Sequence, residues 1–488
     1  MNDLPPDVPP LSPASLRDPA GRLLHLHGRL IRVIQKSWVS AVRAFLNSPL
    51  AREFAESGRF VRTQILDGAA IEQLLQEKSF RDLYEGGDIG LIVEQEPVSF
   101  PSFPYEWPPE ALHAAAGLTL DLARALLPEG LGLKDATPYN VLFRGPGPVF
   151  VDLLSVEQRD PHDPVWLPYA QFVRTFLLPL LACQKFGMSL QEILLTRRDG
   201  LEPEEVYRWC GPLERVLPPT LTLASFPTWF HSRAESPGSR LYEAKRLADP
   251  ARARFVFESM LGRLGRTLAR LEPRKPRISS WSNYMAGGLQ YSAEEFAAKE
   301  SFVREALAQS RPQKVLDVGC NVGHFSLLAA RSGAGVVAVD SDAAVVGELW
   351  RLVRRERLDI LPLVISLSRP TPAMGWRNRE HVSFLDRARG SFDAVFLLAV
   401  IHHLLVTDGI PLAEILDLAA ELTTHICVAE FVGPGDPMFR RLVRGRDYLY
   451  EGLGNATFEA AAVRSFRIAR SLRLGQSDRW LYLLEKKK

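Results

Sequence analysis

The chain has 488 residues, of which 46% are hydrophobic and 24% charged, a balance typical of globular proteins. This length exceeds one ordinary hydrophobic core, so two domains are expected. The net charge of +2 gives no reason to expect a nucleic-acid partner. The sequence contains no run of about 18 apolar residues, so no membrane span is expected. The four cysteines, Cys183, Cys210, Cys320 and Cys427, are far apart. They indicate neither a disulfide framework nor a zinc site and favour a reducing, cytoplasmic compartment.

The first part of the sequence predicts a disordered arm followed by an α+β domain. Residues 1–18 are proline-rich and acidic, as in a disordered segment, and the domain is expected over residues 19–272. Its predicted elements are a hairpin over 21–34 with a turn at His27-Gly28, a helix over 38–56, strands over 60–66 and 90–98, and a helix over 109–127.

Asp135, Asn140 and Asp152 are the polar residues of this domain that suggest chemistry. Asn140 lies five residues after Asp135, and Asp152 ends a short apolar strand. This spacing resembles the catalytic loop and metal-binding strand of the protein-kinase and small-molecule-kinase superfamily, and the resemblance implies that Asn140 and Asp152 would hold Mg²⁺ while Asp135 orients a hydroxyl. Lys134 departs from that family's usual Arg, and no glycine-rich phosphate loop precedes it. The alternative is that these residues cap turns in a degenerate, substrate-holding domain.

The remainder of the first domain predicts helices that carry no candidate catalytic or binding residues. A strongly apolar helix or helix pair is expected over 166–184, where Pro179 would kink or break it. Further helices are expected at 189–197 and 249–271. A basic, proline-bearing stretch begins at Pro273, and residues 273–290 are interpreted as a linker.

The second domain, expected over 291–488, contains a glycine turn between a strand and a helix. Ser292 and Glu295 form a capping box for a helix reaching about Ala308, which carries Lys299 near the expected ligand crevice. The strand beginning at Lys314 runs into Gly319 and Gly323. Glycines let the backbone approach a ligand closely, and the following helix presents free N–H groups.

After the glycine turn, strands and amphipathic helices alternate, which predicts an open, mostly parallel sheet with its ligand at the carboxyl ends of the strands. Strands are expected over 335–340, ending in Asp340, then over 360–365, 392–398 and 426–432. Phe396–Val406 is interpreted as a buried strand running into a loop. Two final strands, 466–471 and 480–485, predict an antiparallel hairpin at the sheet edge.

These features in this order resemble a class I S-adenosylmethionine-dependent methyltransferase over about 200 residues. The implied fold is a Rossmann-like α/β domain with a seven-stranded sheet. The two-domain chain is also similar to a bacterial group related to the nodulation protein NoeA, with shared-looking stretches at 133–140, 149–155 and 361–378.

The resemblance implies a site for S-adenosyl-L-methionine. Asp317, Gly319 and Gly323 would line its methionine and ribose, with Cys320, Asn321 and Lys299 close by. Asp340 would accept the ribose hydroxyls, Ser341 and Asp342 would lie beside the adenine, and Ser366 would stand where many relatives have an acid.

His402, His403 and Glu430 are the candidate catalytic residues, since they are expected at the acceptor side of the sheet. Each has an ordinary alternative, which is packing or hydrogen bonding to the backbone. Methyl transfer needs a base only if the acceptor loses a proton. The implied activity is methyl transfer to a small-molecule or polymer-attached acceptor; the oligomeric state is left open.

Two other functions compete with this interpretation. A kinase-like phosphotransferase or pseudokinase would make the first domain primary. An NAD-linked oxidoreductase would use the same glycine turn, but Gly-x-x-x-Gly at 319–323 is not the Gly-x-Gly-x-x-Gly spacing of that class.

Overall fold

The computed structural model describes residues 17–234, 246–274 and 291–487. The expected arm over 1–18 and the expected linker over 273–290 therefore lie almost wholly outside the described residues. The chain divides into two compact units. Unit 1 extends to Phe143 and includes Gly147–Pro273 and Met374–His381, whereas unit 2 contains Arg144–Pro146, Arg274–Ala373 and Val382–Lys488.

Unit 1 carries an antiparallel sheet of order β1-β2-β4-β3 in the part of the chain that the structure describes. The predicted hairpin pairs Gly21 with Ile34 and turns at His27, whose φ is 49°, and Gly28. Two short sheets, β5-β8 and β6-β7, follow. The strands are β1 (Gly21–Leu26), β2 (Arg29–Gln35), β3 (Thr63–Ile65), β4 (Ile89–Gln95), β5 (Leu131–Leu133), β6 (Val141–Arg144), β7 (Gly147–Phe150) and β8 (Val156–Gln158).

The helices of unit 1 differ from the predicted ones in two places. They are α1 (Val39–Leu46), α2 (Pro49–Glu56), α3 (Gly68–Leu74), α4 (Lys78–Gly86), α5 (Pro109–Leu126), α6 (Tyr169–Phe172), α7 (Leu178–Phe186), α8 (Leu190–Leu194), α9 (Pro203–Trp209), α10 (Pro212–Arg215), α11 (Phe226–Ala234) and α12 (Pro250–Arg270). The helix expected over 38–56 is two helices, because Ser48 caps α2 and Pro49 starts it. Pro179 does not break its helix, since it lies in the first turn of α7 after a π-helical turn at Val173–Leu177.

Unit 2 is the predicted α/β domain. Its elements are α13 (Ala293–Ser310), β9 (Lys314–Val318), α14 (His324–Arg331), β10 (Gly335–Asp340), α15 (Ala343–Glu356), β11 (Ile360–Val364), α16 (Phe384–Ala388), β12 (Phe392–Leu397), α17 (Ile401–Val406), α18 (Leu412–Leu422), β13 (Thr423–Val432), α19 (Pro437–Val443), α20 (Asn455–Ala462), β14 (Phe466–Arg473) and β15 (Arg479–Lys486).

Within the described residues, these strands form one seven-stranded sheet of order β11-β10-β9-β12-β13-β15-β14. The pairs from β11 to β13 are parallel, whereas β15 is antiparallel to both β13 and β14. The mostly parallel sheet with an antiparallel terminal hairpin is therefore confirmed. The strand order reverses between β9 and β12, where the chain leaves β9 toward β10 on one side and later returns to β12 on the other. Ligands of open α/β sheets bind at such a point.

Both faces of this sheet are buried. Alternate strand residues such as Val315 and Phe396 form one core with α13, α14 and α15, while their neighbours Leu316 and Val395 are equally buried on the other face. This double burial explains why the strands read as continuous apolar runs. One expectation was wrong: the chain after Leu397 does not stay a loop but forms α17, which carries His402 and His403.

No helix in the described ranges 17–234, 246–274 and 291–487 is long and apolar enough to cross a membrane.

Candidate active site

The glycine turn and the acid that ends β10 meet at the carboxyl edge of the unit 2 sheet. Gly319, Asn321 and Gly323 have φ values of 70°, 51° and 84°, a left-handed backbone that glycine and asparagine tolerate. This conformation directs the Asn321 N–H to Asp340, whose Oδ2 accepts it at 2.9 Å, while Oδ1 accepts from the Asp342 N–H at 3.0 Å. Burial raises the pKa of Asp340. The predicted turn and acid thus lie side by side.

Asp317 and Ser326 form a buried pair just before and after the turn. The Ser326 hydroxyl donates to Asp317 Oδ2 at 2.5 Å, and Asp317 is 2% exposed. Burial raises the pKa of Asp317 to about 7, although Ser326 and the charge of Lys299 favour its ionised form. The carboxyl group therefore changes charge near neutral pH.

The remaining predicted cofactor residues surround the same edge. Cys320 is buried and its backbone N–H, like that of Gly319, bonds to Val339 O. Asp342 caps α15 through the Ala344 N–H at 2.8 Å, directly after Ser341. Ser366 follows β11 and lies 3.0 Å from Ser368 Oγ. These residues follow the carboxyl ends of β9, β10 and β11.

Lys299 and Glu430 belong to a buried network of charges. Lys299 Nζ lies 2.6 Å from Glu430 Oε2 and donates to the Tyr291 hydroxyl at 3.0 Å. Tyr291 in turn donates to Glu430 Oε1 at 2.7 Å. Arg479 Nη1 reaches the same oxygen at 3.2 Å, while its Nε and Nη2 donate to Asp436 at 2.7 and 3.2 Å.

The network is closed to solvent, since Glu430 is 0% exposed and Lys299 is 3% exposed. Burial alone would raise the pKa of Glu430, but Lys299 and Arg479 outweigh it and hold that pKa below its usual value. Burial lowers the pKa of Lys299. Glu430 is thus ionised, and Lys299 and Arg479 compensate its charge.

His402 and His403 lie on α17, with ring centroids 4.3 Å apart. His402 is 1% exposed. Its pKa lies well below the usual histidine value because of burial, with further lowering from His403, Arg479 and Lys299. Burial also lowers the pKa of His403, while Asp408 raises it. The lowered pKa of each ring favours the neutral imidazole.

In unit 1, Asn140 and Asp152 both hydrogen-bond to Ser155. Asp152 Oδ1 accepts from Arg32 at 3.1 Å and its Oδ2 accepts from Ser155 at 2.5 Å, while Asn140 Nδ2 donates to the Ser155 hydroxyl at 2.9 Å. Burial raises the pKa of Asp135.

The carboxylate of Asp152 is thus already compensated by a guanidinium. Mg²⁺, which prefers free carboxylate oxygens, would have to displace Arg32. Among the described residues, no group of three His, Cys, Asp or Glu side chains could hold a metal ion.

The sequence reading missed Arg479 and Asp436 and gave no role to Tyr291. Arg479 begins an otherwise apolar strand, where a charged residue reads as an exposed strand end. The sequence carried no signal for this contact, because the position of Arg479 opposite Val432, two residues from the partner of Glu430, depends on the pairing of β15 with β13.

Comparison with known proteins agrees with this geometry. Residues 290–425 match a family model described as a methyltransferase domain. The nodulation protein NoeA of Rhizobium meliloti (strain 1021) is 29% identical over 486 residues, covering 97% of this chain and 95% of NoeA. Neither match supports the kinase or NAD-linked alternative.

Two solved structures match part of the chain more loosely. The PH0226 protein from Pyrococcus horikoshii OT3 is 15% identical, with a TM-score of 0.31, over 43% of this chain and 100% of its own. The N-methyltransferase NodS from Bradyrhizobium japonicum WM9 is 14% identical, with a TM-score of 0.30, over 40% of this chain and 99% of its own. At these TM-scores the two structures add no argument of their own.

Proposed function

We propose that this chain, whose residues 290–425 match a methyltransferase-domain family model, uses S-adenosylmethionine to methylate a small-molecule or polymer-attached acceptor. The observation that carries the proposal is the hydrogen bond from the Asn321 N–H to Asp340. It fixes a glycine turn and a carboxylate side by side at the carboxyl edge of neighbouring parallel strands, which is the arrangement that a nucleoside ligand needs.

The residues present fit this cofactor. Each oxygen of a carboxylate can accept two hydrogen bonds, so Asp340 can hold the ribose hydroxyls while keeping its bonds to Asn321 and Asp342. Gly319 and Gly323 supply the left-handed backbone of the turn, with φ values of 70° and 84°. Asp317 and Cys320 would flank the methionine part, and Ser341, Asp342 and Ser366 the adenine.

The bound sulfonium supplies an activated methyl group, so the protein mainly aligns the acceptor with it. His402 and His403 are neutral and can accept a proton from the acceptor. Glu430 is less suited to that step, because Lys299, Arg479 and Tyr291 already stabilise its ionised form. We assign Lys299 and Glu430 to positioning: their ion pair connects α13 to β13 beneath the site.

Unit 1 would hold the acceptor rather than transfer phosphate, since Arg32 already compensates Asp152. A reducing, cytoplasmic location suits the four cysteines, all of which are free.

Titration calorimetry with S-adenosylmethionine tests the proposal. Asp340→Ala should weaken binding about 10- to 100-fold, because hydrogen bonds to a charged group contribute about 1.5–3 kcal/mol. Glu414→Gln, a change at an exposed carboxylate on α18, should bind like the wild type. The proposal fails if the wild type does not bind the cofactor or if Asp340→Ala leaves the affinity unchanged.

A further inference from the structure

Four exposed arginines follow β13 at the carboxyl edge of the unit 2 sheet. They are Arg440, Arg441, Arg444 and Arg446, and residues 437–446 contain no Asp or Glu. The first two lie on α19, and Arg444 ends that helix. Cations concentrated on one segment without acids between them create a positive potential that attracts anions.

The helix that presents these arginines is held in place by buried contacts. Asp436 is the N-cap residue of α19, and Arg479 binds its two carboxylate oxygens at 2.7 and 3.2 Å. Phe439 and Val443 of α19 pack in one hydrophobic cluster with Val406 of α17. The arginines are therefore carried by a fixed element that packs on the helix of the two candidate catalytic histidines.

Two of the four guanidinium groups are available to a ligand. Arg440 and Arg446 each donate from Nε to a backbone carbonyl, at 3.3 and 3.2 Å. Arg441 and Arg444 make no hydrogen bond or ion pair with any residue that the structure describes. A guanidinium donates two parallel hydrogen bonds to a carboxylate or a phosphate, and these two arginines can do so without giving up an existing bond.

The turn after the arginines exposes two large side chains. Tyr448 is 67% exposed and Leu449 is 55% exposed, and both belong to a single helical turn at Asp447–Tyr450. The Tyr450 ring packs edge-on against Phe439 of α19, with centroids 5.3 Å apart, so this turn is held beside the arginines. Exposed apolar surface next to cations suits an organic anion rather than an inorganic one.

We infer that the methyl acceptor carries an anionic group, a carboxylate or a phosphate, and that Arg441 and Arg444 bind that group. This inference rests on the proposed function and identifies the class of acceptor for the same site. Ligands of open α/β sheets lie at the carboxyl ends of the strands, which is the edge where α17 and α19 pack together.

A second pair of exposed arginines provides a matched comparison. Arg354 and Arg357 lie at the end of α15, which leads into the amino end of β11. Arg357 and Arg444 each end a helix with a left-handed backbone, with φ values of 54° and 52°. The two pairs thus have similar local structure at opposite edges of the sheet, and the edge of Arg354 is not the one where the ligand is expected.

Three small aromatic probes test the inference on the full chain saturated with S-adenosylhomocysteine. Phenyl phosphate and benzoate carry the two candidate groups, and benzyl alcohol is the neutral comparison. Saturation-transfer NMR measures the dissociation constant of each probe. At least one anion should bind the wild type about 10-fold more tightly than benzyl alcohol, and the tighter anion identifies the preferred group.

Arg441→Gln combined with Arg444→Gln should weaken binding of that anion about 5-fold, because each exposed ion pair contributes modestly, and should leave benzyl alcohol binding unchanged. Arg354→Gln combined with Arg357→Gln should bind the anion like the wild type. The inference is overturned if the wild type does not prefer an anion, if the first variant keeps its affinity, or if both variants lose affinity equally. Calorimetry with S-adenosylhomocysteine separates these results from a failure of the proposed function, in which the wild type would not bind that ligand at all.

Discussion

The backbone N–H of Asn321 donates to Oδ2 of Asp340 at 2.9 Å across two neighbouring strands, and it does so because Asn321 has a φ of 51°. The side chain supports this conformation locally, since Asn321 Oδ1 accepts from the Val322 N–H at 2.7 Å. A single left-handed residue therefore connects the glycine turn to the acid that is proposed to hold the cofactor's ribose.

Asn321→Val should weaken cofactor binding about 10-fold. A left-handed conformation costs a residue with a β-carbon about 1–2 kcal/mol, and valine cannot replace the bond to Val322. Asn321→Gly keeps the backbone freedom and loses only the side-chain bond, so its affinity should lie between those of the wild type and the valine variant. Calorimetry with S-adenosylmethionine checks this order, and an affinity of the valine variant equal to that of the glycine variant would contradict it.

Gly323→Ala should destabilise unit 2, because its φ is 84° and an added β-carbon would collide with the Leu349 side chain. Overpacking of this kind typically costs about 1–3 kcal/mol. The same change in a Leu349→Ala background removes the collision and leaves only the backbone strain, so the two substitutions should cost less together than the sum of their separate effects. Urea denaturation of the four proteins measures the difference, and strict additivity would show that the collision is relieved in some other way.

Asp317 should make the stability of unit 2 decrease as pH rises. Its pKa is about 7 in the folded protein, against a reference value of 3.8, so the folded state retains a proton that the unfolded state loses between those values. This raised pKa costs stability progressively from about pH 4 to 7, at about 1.4 kcal/mol per pH unit at most.

The pH dependence is best read as a difference from Asp317→Asn. The free energy of unfolding of the wild type minus that of the variant should fall between pH 5 and pH 7. Ser326→Ala removes a hydrogen bond that favours the ionised carboxylate and should move the fall to higher pH. Parallel curves for the wild type and Asp317→Asn would show that Asp317 does not titrate in this range.

Glu430→Gln should be strongly destabilising, by about 3–5 kcal/mol, because it leaves Lys299 and Arg479 buried without their shared counter-charge. Adding Lys299→Met should recover part of the loss, since the double variant buries one cation fewer. Tyr291→Phe is a milder change that removes one hydroxyl from the same network, at a cost of about 1–2 kcal/mol. Urea denaturation of these variants and of Lys299→Met alone checks the coupling, and a double variant as unstable as the sum of its two single changes would contradict it.

Glu380→Ala should destabilise unit 1 although Glu380 is distant from most of that unit in sequence. Its side chain is 2% exposed and pairs with Arg17, at 2.5 Å, and with Arg198, so its loss removes both ion pairs. The side chains of Arg17 and Arg198 are 61% and 38% exposed, so solvent screens both pairs and we expect a loss of about 1 kcal/mol. Trp376→Ala in the same segment is the matched control, since Trp376 is 66% exposed and its removal should be nearly neutral. Equal effects of the two changes in urea denaturation would contradict this account.

The sequence was sufficient for the strands of unit 2, because strands buried on both faces form continuous apolar runs. It was sufficient for the glycine turn and Asp340 for a different reason: parallel topology brings the ends of β9 and β10 together wherever the intervening helix lies. The prediction of one helix over 38–56 was wrong, since the chain forms two helices there. The apolar period continues across Ser48-Pro49, so the period alone does not show the cap that starts the second helix.

The buried network was beyond the reach of the sequence. Lys299, Glu430 and Arg479 are separated by 131 and 49 positions, and each is surrounded by a pattern that has its own local explanation. Their interaction depends on the strand order β13-β15 and on the close approach of α13, which are properties of the packed domain. The short helix α17 was missed for a related reason, since six mostly apolar residues are too few for a helical period to be read.

The segment Met374–His381 has a consequence for how this protein could have been assembled. It arises between β11 and β12 but belongs to unit 1, where the His381 ring stacks on Phe103 and Tyr139 at 4.5 and 4.9 Å. A single genetic crossover near residue 274 would therefore separate the first half of the chain from residues 374–381, which the second half encodes. The second half would bring a segment that fits the first half of its own parent. Recombination between relatives should preserve the two halves as a matched pair, and chimaeras should be viable only when residues 374–381 are exchanged together with the first half.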